Sequence, residues 1–460
     1  MKKLIAMLLV LVMAVSLFAG CQNTDDAGTT TVATTGDTTP ETTGDTTPET
    51  TTGTPSTEAK GSVYYLNFKP EADTAWQELA ATYTALTGVP VKVVTAASGD
   101  YSTTLNSQMG KEGAPTIYNI GNAQGLVDWD SYALDLSNTA LAGELTTDSF
   151  NLYNADGELK AMGFCYECFG IIVNKALLAE AGYSVEDITN FETLKAVAED
   201  ITARSEELGF AAFSSAGLDD SSSWRFSGHL ANMPLYYEFE KNGVTEQPAE
   251  ITGEYLDAYK NIWDLYISNS TCSGTDLPSK TSDNSKADFT EGKAVCYQNG
   301  SWEYTGLVEA GLNAEDLTMI PIYVGVEGEE QAGLCCGTEN CWAVNSQASE
   351  EDIQASLDFL YWVVTSDEGT TMLAEELGPI PFKNAKTPEN VFFAAANEYT
   401  AAGNYVVTWA FNYTPNVDSW RAGVVTALAA YSADQSDANW EAVKTAFVDG
   451  WAIEYNMQNG

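Results

Sequence analysis

The sequence predicts an α/β fold in two lobes, and three observations carry that prediction. From Ser62 onward, strand-like and helical stretches alternate, which implies parallel pairing with right-handed crossovers. The chain has 460 residues, too many for one small domain and enough for two sizeable lobes with tails. Charged residues make up 18% and aromatic residues 11%, so the chain is not disordered as a whole.

The N-terminus reads as an export address. Lys2 and Lys3 precede an apolar run from Leu4 to Phe18. A spanning helix needs about 20 apolar residues, so this shorter run reads as a signal peptide over residues 1–20. It ends in Phe18-Ala19-Gly20-Cys21, which resembles the lipobox of bacterial lipoproteins, with Phe18 where that motif usually has Leu. The resemblance implies that Cys21 is acylated and becomes the new N-terminus, so that lipid alone holds the mature protein to the membrane. The alternative is an ordinary secreted protein with a chance Cys. No later segment is apolar enough to span a bilayer.

Residues 21–61 read as a linker. Between Gln22 and Lys60, 17 of 39 residues are Thr, and the octapeptide TTGDTTPE occurs twice, at Thr34–Glu41 and Thr42–Glu49. Such a segment cannot bury enough apolar surface to offset its ordering entropy. As a flexible coil it would span roughly 35 Å, the length of a short stalk.

Folding is expected from Ser62. Val63–Phe68 reads as a strand, and Ala72–Thr87 as a helix with Trp76, Leu79, Ala80, Tyr83 and Leu86 on one face and Gly88 at its end. Pro90–Val94 reads as the next strand, Ser102–Gly110 as helical and Pro115–Ile120 as a third strand. Ligands of such sheets sit beyond the carboxyl ends of the strands. Asn67, Lys69 and Glu71 follow the first strand, and Asn122 and Gln124 follow the third. These five are therefore candidate ligand contacts, the alternative being polar loop tips.

Composition excludes several classes. With 20 Lys+Arg against 65 Asp+Glu, the formal net charge is −45. A nucleic-acid binder is excluded because phosphate is gripped by clustered Lys and Arg. Protein contacts with an anionic lipid surface are disfavoured for the same reason. The single histidine removes most His-rich metal sites and would make a Ser-His-Asp hydrolase depend on His229.

The segment Gly163-Phe164-Cys165-Tyr166-Glu167-Cys168-Phe169-Gly170-Ile171-Ile172-Val173-Asn174-Lys175 resembles the signature of family 1 bacterial extracellular solute-binding proteins, the group of maltose-binding protein. Val173 replaces the usual Tyr, and two Cys occupy the gap. Downstream, Gly333–Asn345, an amphipathic helix with Ile353, Leu357, Leu360, Tyr361 and Val364, and Gly378-Pro379-Ile380-Pro381 continue the likeness. The resemblance implies a two-lobe periplasmic-binding-protein-like fold with a ligand cleft between lobes joined by crossing hinge strands. One lobe would hold 62–165 and 335–382, the other 166–334 and 383–460.

A sugar offers an apolar C–H face and a rim of hydroxyls, so its site needs aromatic platforms beside polar partners. Trp224, Trp302 and Trp420 match binding segments of the family, and Trp420 is the expected ring-stacking platform. Trp342 and Trp362 read as core. Glu167 stands where the family's signature carries an acidic residue facing the ligand, with Glu339 and Asn340 as weaker candidates. Arg225 and Arg421 either donate to hydroxyls or neutralise nearby carboxylates.

If Cys21 is lipidated, seven thiols remain. Cys165 and Cys168 lie on one expected hinge segment and Cys335, Cys336 and Cys341 on the other; Cys272 and Cys296 could pair in the second lobe. Disulfides or reduced buried thiols both fit, and the spacing is not a zinc pattern. No metal, cofactor or catalytic residue is expected. The family implies a monomeric receptor that captures a carbohydrate, an oligosaccharide by preference, for ABC transporter permease subunits. It would sit on the outer face of the cytoplasmic membrane of a Gram-positive bacterium. Two other classes share these features: a sensor presenting ligand to a membrane receptor, and a lipid-anchored glycoside hydrolase with two carboxylates flanking one bond.

Overall fold

Alternating apolar strands and amphipathic helices close two sheets in the computed structural model, which describes residues 60–96, 100–214, 217–219, 222–338 and 340–460. The expected signal peptide, Cys21, the Thr-rich segment over 22–59 and Glu339 lie outside the described residues. Among those residues no helix is long and apolar enough to cross a membrane.

In the first lobe, β1 (Val63–Asn67) pairs in parallel with β2 (Val91–Thr95) and β3 (Ile117–Ile120). A small hairpin follows, β4 (Leu152–Tyr153) and β5 (Leu159–Ala161). The chain then enters the second lobe through β6 (Glu167–Asn174) and continues with β7 (Ala211–Phe213), β8 (Ala294–Gly300), β9 (Leu317–Ile320) and β10 (Ala332–Gly337). It returns as β11 (Cys341–Val344), antiparallel to β3, and later adds β12 (Tyr405–Thr408) beside β10. The two sheets have the orders β11-β3-β1-β2 and β12-β10-β6-β8-β7, with β9 also on β6.

The helix Asp73–Thr87 buries Trp76, Leu79, Ala80 and Tyr83 against the first sheet. Gly88 ends it at φ +74°, a left-handed conformation that a residue without Cβ adopts at little cost. Leu86, expected on the buried face, is 65% exposed. It belongs to the last turn, just before Gly88 reverses the chain, and its side chain stands in solvent.

Each lobe has its own aromatic core. Trp342 stacks on Phe164 at 4.1 Å and meets Trp76 edge-on at 6.0 Å in the first. Trp362 is half-buried and packs on Tyr83 at the rim of that core. The second core gathers Tyr259, Trp263, Phe447 and Trp451.

The chain passes between the two sheets and their flanking segments at three places. Met162 bridges to Trp342 in the first lobe just before β6 begins in the second. β10 pairs in the second sheet through Gly337, and β11 pairs in the first from Cys341. Phe382 still bridges to Leu145, and the helix Val391–Ala401 then packs on β9 and β10. Asn340 turns the second crossing at φ +63°, in the region Asn tolerates better than most residues. Its carbonyl accepts from Asn119 Nδ2 at 2.6 Å, and its N–H bonds Gly121 O at 3.0 Å.

Candidate ligand cleft

The face of β6 that carries Glu167, Phe169 and Ile171 organises the site, because alternate residues of a strand share one side. The register sets Gly300 of β8 opposite Phe169, and Gly337 of β10 opposite Glu167. Both glycines matter for their missing side chains. A Cβ at 300 would lie 2.1 Å from the ring of Trp302, and one at 337 would lie 2.7 Å from Trp409. The two indoles therefore lie over the neighbouring strands, and between them His229 stacks on Phe169 at 3.9 Å. Trp224 meets His229 edge-on at 4.7 Å and lies 5.9 Å from Trp302. Phe411 extends the row beside Trp409 at 5.5 Å.

The first lobe reaches the same face through the loop after β1. Lys69 Nζ lies 2.8 Å from both carboxylate oxygens of Glu167, and their side chains are 5% and 4% exposed. Asn67 builds this pair rather than facing a ligand. Its Oδ1 accepts from the Lys69 N–H at 3.1 Å and its Nδ2 donates to the Lys69 carbonyl at 2.7 Å. Its amide is therefore used in clamping the loop, which corrects the expectation of a ligand contact. Glu71 stands 3.9 Å from Lys69.

On the opposite wall, Arg225 is fully buried behind Trp224, its guanidinium 4.6 Å from that ring. Nη2 donates to Ser282 Oγ at 2.7 Å and lies 3.8 Å from Glu303. Nε and Nη1 are enclosed without a hydrogen-bond partner among the described residues. Glu303 also lies 3.2 Å from Lys286 and accepts from Asn299 Nδ2 at 2.9 Å. Trp302 is fixed by its Nε1–H donating to Asn299 Oδ1 at 3.0 Å.

The remaining expected residues fall in different places. Asn122 caps the helix Ala123–Trp129, accepting from Gly125 N at 2.9 Å; Gln124 is half-buried on the first turn of that helix. The helix touches the turn Ala410–Tyr413 of the other lobe, which brings it to the cleft rim. Arg421 Nε donates to Ser227 Oγ at 3.1 Å, while its Nη1 lies 3.9 Å from Asp418, and its charge is felt by His229. Trp420 is a correction. It is 2% exposed, donates to Phe447 O at 2.9 Å and packs on Phe447 and Trp451. The helix start presents it inward to the long C-terminal helix, so it is core rather than platform.

A family model for bacterial extracellular solute-binding proteins matches residues 78–401. The chain belongs to this family. This solute-binding protein is similar in fold to RafE in complex with raffinose, at a TM-score of 0.69 and 16% identity, covering 87% of this chain and 100% of that one. RafE is described elsewhere as from Streptococcus pneumoniae. The GacH receptor of Streptomyces glaucescens, solved unliganded and with acarbose, matches at a TM-score of 0.64 and 19% identity, over 87% of this chain and 99% of that one. A family 1 extracellular solute-binding protein from Bifidobacterium longum subsp. infantis matches at 0.58 and 17%, over 85% and 100%.

In this solute-binding protein sequence reasoning did not name Glu303, Lys286, Trp409 and Phe411 beside this face, and weighed His229 only as the histidine a hydrolase triad would need. The aromatic run Trp409-Ala410-Phe411-Asn412-Tyr413 and the lone histidine were the available signals. The hinge thiols belong to the sheet: Cys336 lies opposite Cys168 in the β10–β6 register, and no bridge joins the seven thiols among the described residues.

Glu71 gives the cleft a pH response. Burial, with the carboxylates of Glu167 and Glu303 adding to it and Lys69 opposing, pushes its pKa up to about 7, although 26% of its side chain still meets water. A carboxyl whose folded pKa lies above its unfolded one binds protons more tightly when folded, so its contribution to stability falls as pH rises between the two values. Glu71→Gln should therefore raise the melting temperature at pH 8 and leave it nearly unchanged at pH 4.5. Equal effects at both pH values would remove Glu71 as the titrating group.

Proposed function

We propose that this protein is a lipid-anchored extracellular receptor that captures a carbohydrate, an oligosaccharide in our reading, and delivers it to the permease of an ABC importer. The observation that carries the proposal is the row of rings Trp224, Trp302 and Trp409 beside Phe169 and His229, bordered by Glu71, Glu303 and Arg421. Indoles supply flat apolar surface for sugar C–H faces, and the bordering charges supply acceptors and donors for hydroxyls. The raffinose and acarbose named with similar folds support the same class, and the lipobox-like end at Cys21 supports the anchor. Trp224, Trp302, Glu71, Gln124, Glu167, Arg225 and Arg421 are proposed as binding or supporting residues on this reading. The passages around Glu167 and between β10 and β11 would be its hinge, and ligand touching both lobes favours the closed form.

Calorimetry against raffinose, acarbose and a panel of mono- and oligosaccharides tests the class. Binding without release of cleaved sugar is expected; steady cleavage would favour a hydrolase. Stacking would remove about 60–100 Å² of the Trp302 ring from water, worth about 2 kcal/mol. Trp302→Ala should weaken the tightest sugar about thirtyfold while costing the fold little. Retained affinity would move the stacking surface elsewhere.

A further inference from the structure

His229 is the only histidine in the chain, and its ring is held on three sides. One face lies on Phe169, centroids 3.9 Å apart and planes within 4°. Trp224 and Trp302 border it at 4.7 Å and 5.3 Å. Its Nδ1 edge sits 3.1 Å from Nε2 of Gln298, whose place opposite Ile171 puts that amide on the same sheet face.

The amide orientation decides where the ring proton stands. With Nε2 toward the imidazole, the buried Gln298 oxygen is left without a partner. Either orientation of the amide leaves two polar groups unmet, the oxygen and one N–H as placed or two N–H groups if reversed. As placed, the Gln298 N–H donates to Nδ1, which puts the proton of the neutral ring on Nε2. Burial and the cations of Arg225 and Arg421 push the pKa of His229 well below the usual histidine range. Nε2 has no hydrogen-bond partner among the described residues and is not among the fully enclosed polar atoms that lack one, the residue as a whole being 5% exposed.

We propose that His229 is a specificity-determining donor whose Nε2–H bonds an uncharged oxygen of the captured solute, with Gln298 as the positioning residue that fixes the tautomer. The inference rests on the carbohydrate reading above. The acceptor would be a sugar hydroxyl or ring oxygen, and a solute offering only a donor there would leave Nε2–H unpaired, a loss of specificity-grade size.

The chain's one histidine makes long-range proton–nitrogen correlation spectra of the full protein unambiguous. The expected result is the Nε2–H tautomer, constant from pH 5 to 8, with the Nε2–H resonance shifting when the tightest sugar of the screen is added. His229→Phe keeps the stack on Phe169 and should weaken that sugar about tenfold in the folded fraction, with a lower melting temperature because the buried Gln298 amide loses its acceptor. Gln298→Met should give mixed tautomers and weaker binding. An Nδ1–H tautomer, or titration within that pH range, overturns the proposal whatever sugar binds. Equal affinity of wild type and His229→Phe overturns it while leaving the carbohydrate reading intact. Failure of the wild type to bind any sugar overturns both.

Discussion

Trp420→Ala is expected to destabilise the protein by about 3–5 kcal/mol, as deletion of a large core aromatic does, while the folded fraction keeps the sugar affinity of the wild type. The indole is enclosed by Phe447 and Trp451, and its N–H is bonded to the Phe447 carbonyl. Truncation therefore opens a cavity and leaves a buried carbonyl short of a donor. Denaturant melts and calorimetry on the same preparation separate the two effects. Normal stability with lost binding would return Trp420 to the cleft.

Lys69→Met should cost about 3–5 kcal/mol, because it strands the Glu167 carboxylate in a buried site. Glu167 is almost wholly enclosed at the head of β6, with the Lys69 ammonium on both its oxygens. The paired variant Lys69→Met with Glu167→Gln should recover most of that loss, since no charge is then left unmatched. A double variant as unstable as the single one would mean that the loop after β1, rather than the ion pair, is what Lys69 supports. Chemical denaturation of the three proteins gives the answer directly.

Local elements were legible because their signals are local. The Trp76–Tyr83 stripe with Gly88, and the strands that flank it, follow from periodicity and turn chemistry alone. The signature at Gly163–Lys175 drew attention to Glu167, which begins β6, and Gly300-x-Trp302 to a ring that lies 5.9 Å from Trp224. Trp420 was misread because the face a helix start presents depends on what packs over it, here Phe447 and Trp451 from the last helix. Lys69 as partner of Glu167, and Gln298 as partner of His229, are pairs distant in sequence, and composition carries no trace of them. The use of Gly337 to seat Trp409 was likewise invisible, since only the register reveals which ring a missing Cβ admits.

The placement of β11 on the outer side of β3 fixes an order of assembly. β11 is synthesised only after every strand from β6 to β10, yet it supplies the partner that completes the first sheet. Until then β3, an apolar strand over Ile117–Ile120, presents an open edge that any extended segment can pair with. The first lobe is thus unfinished until nearly three-quarters of the chain is available, and closing so long a loop is slow.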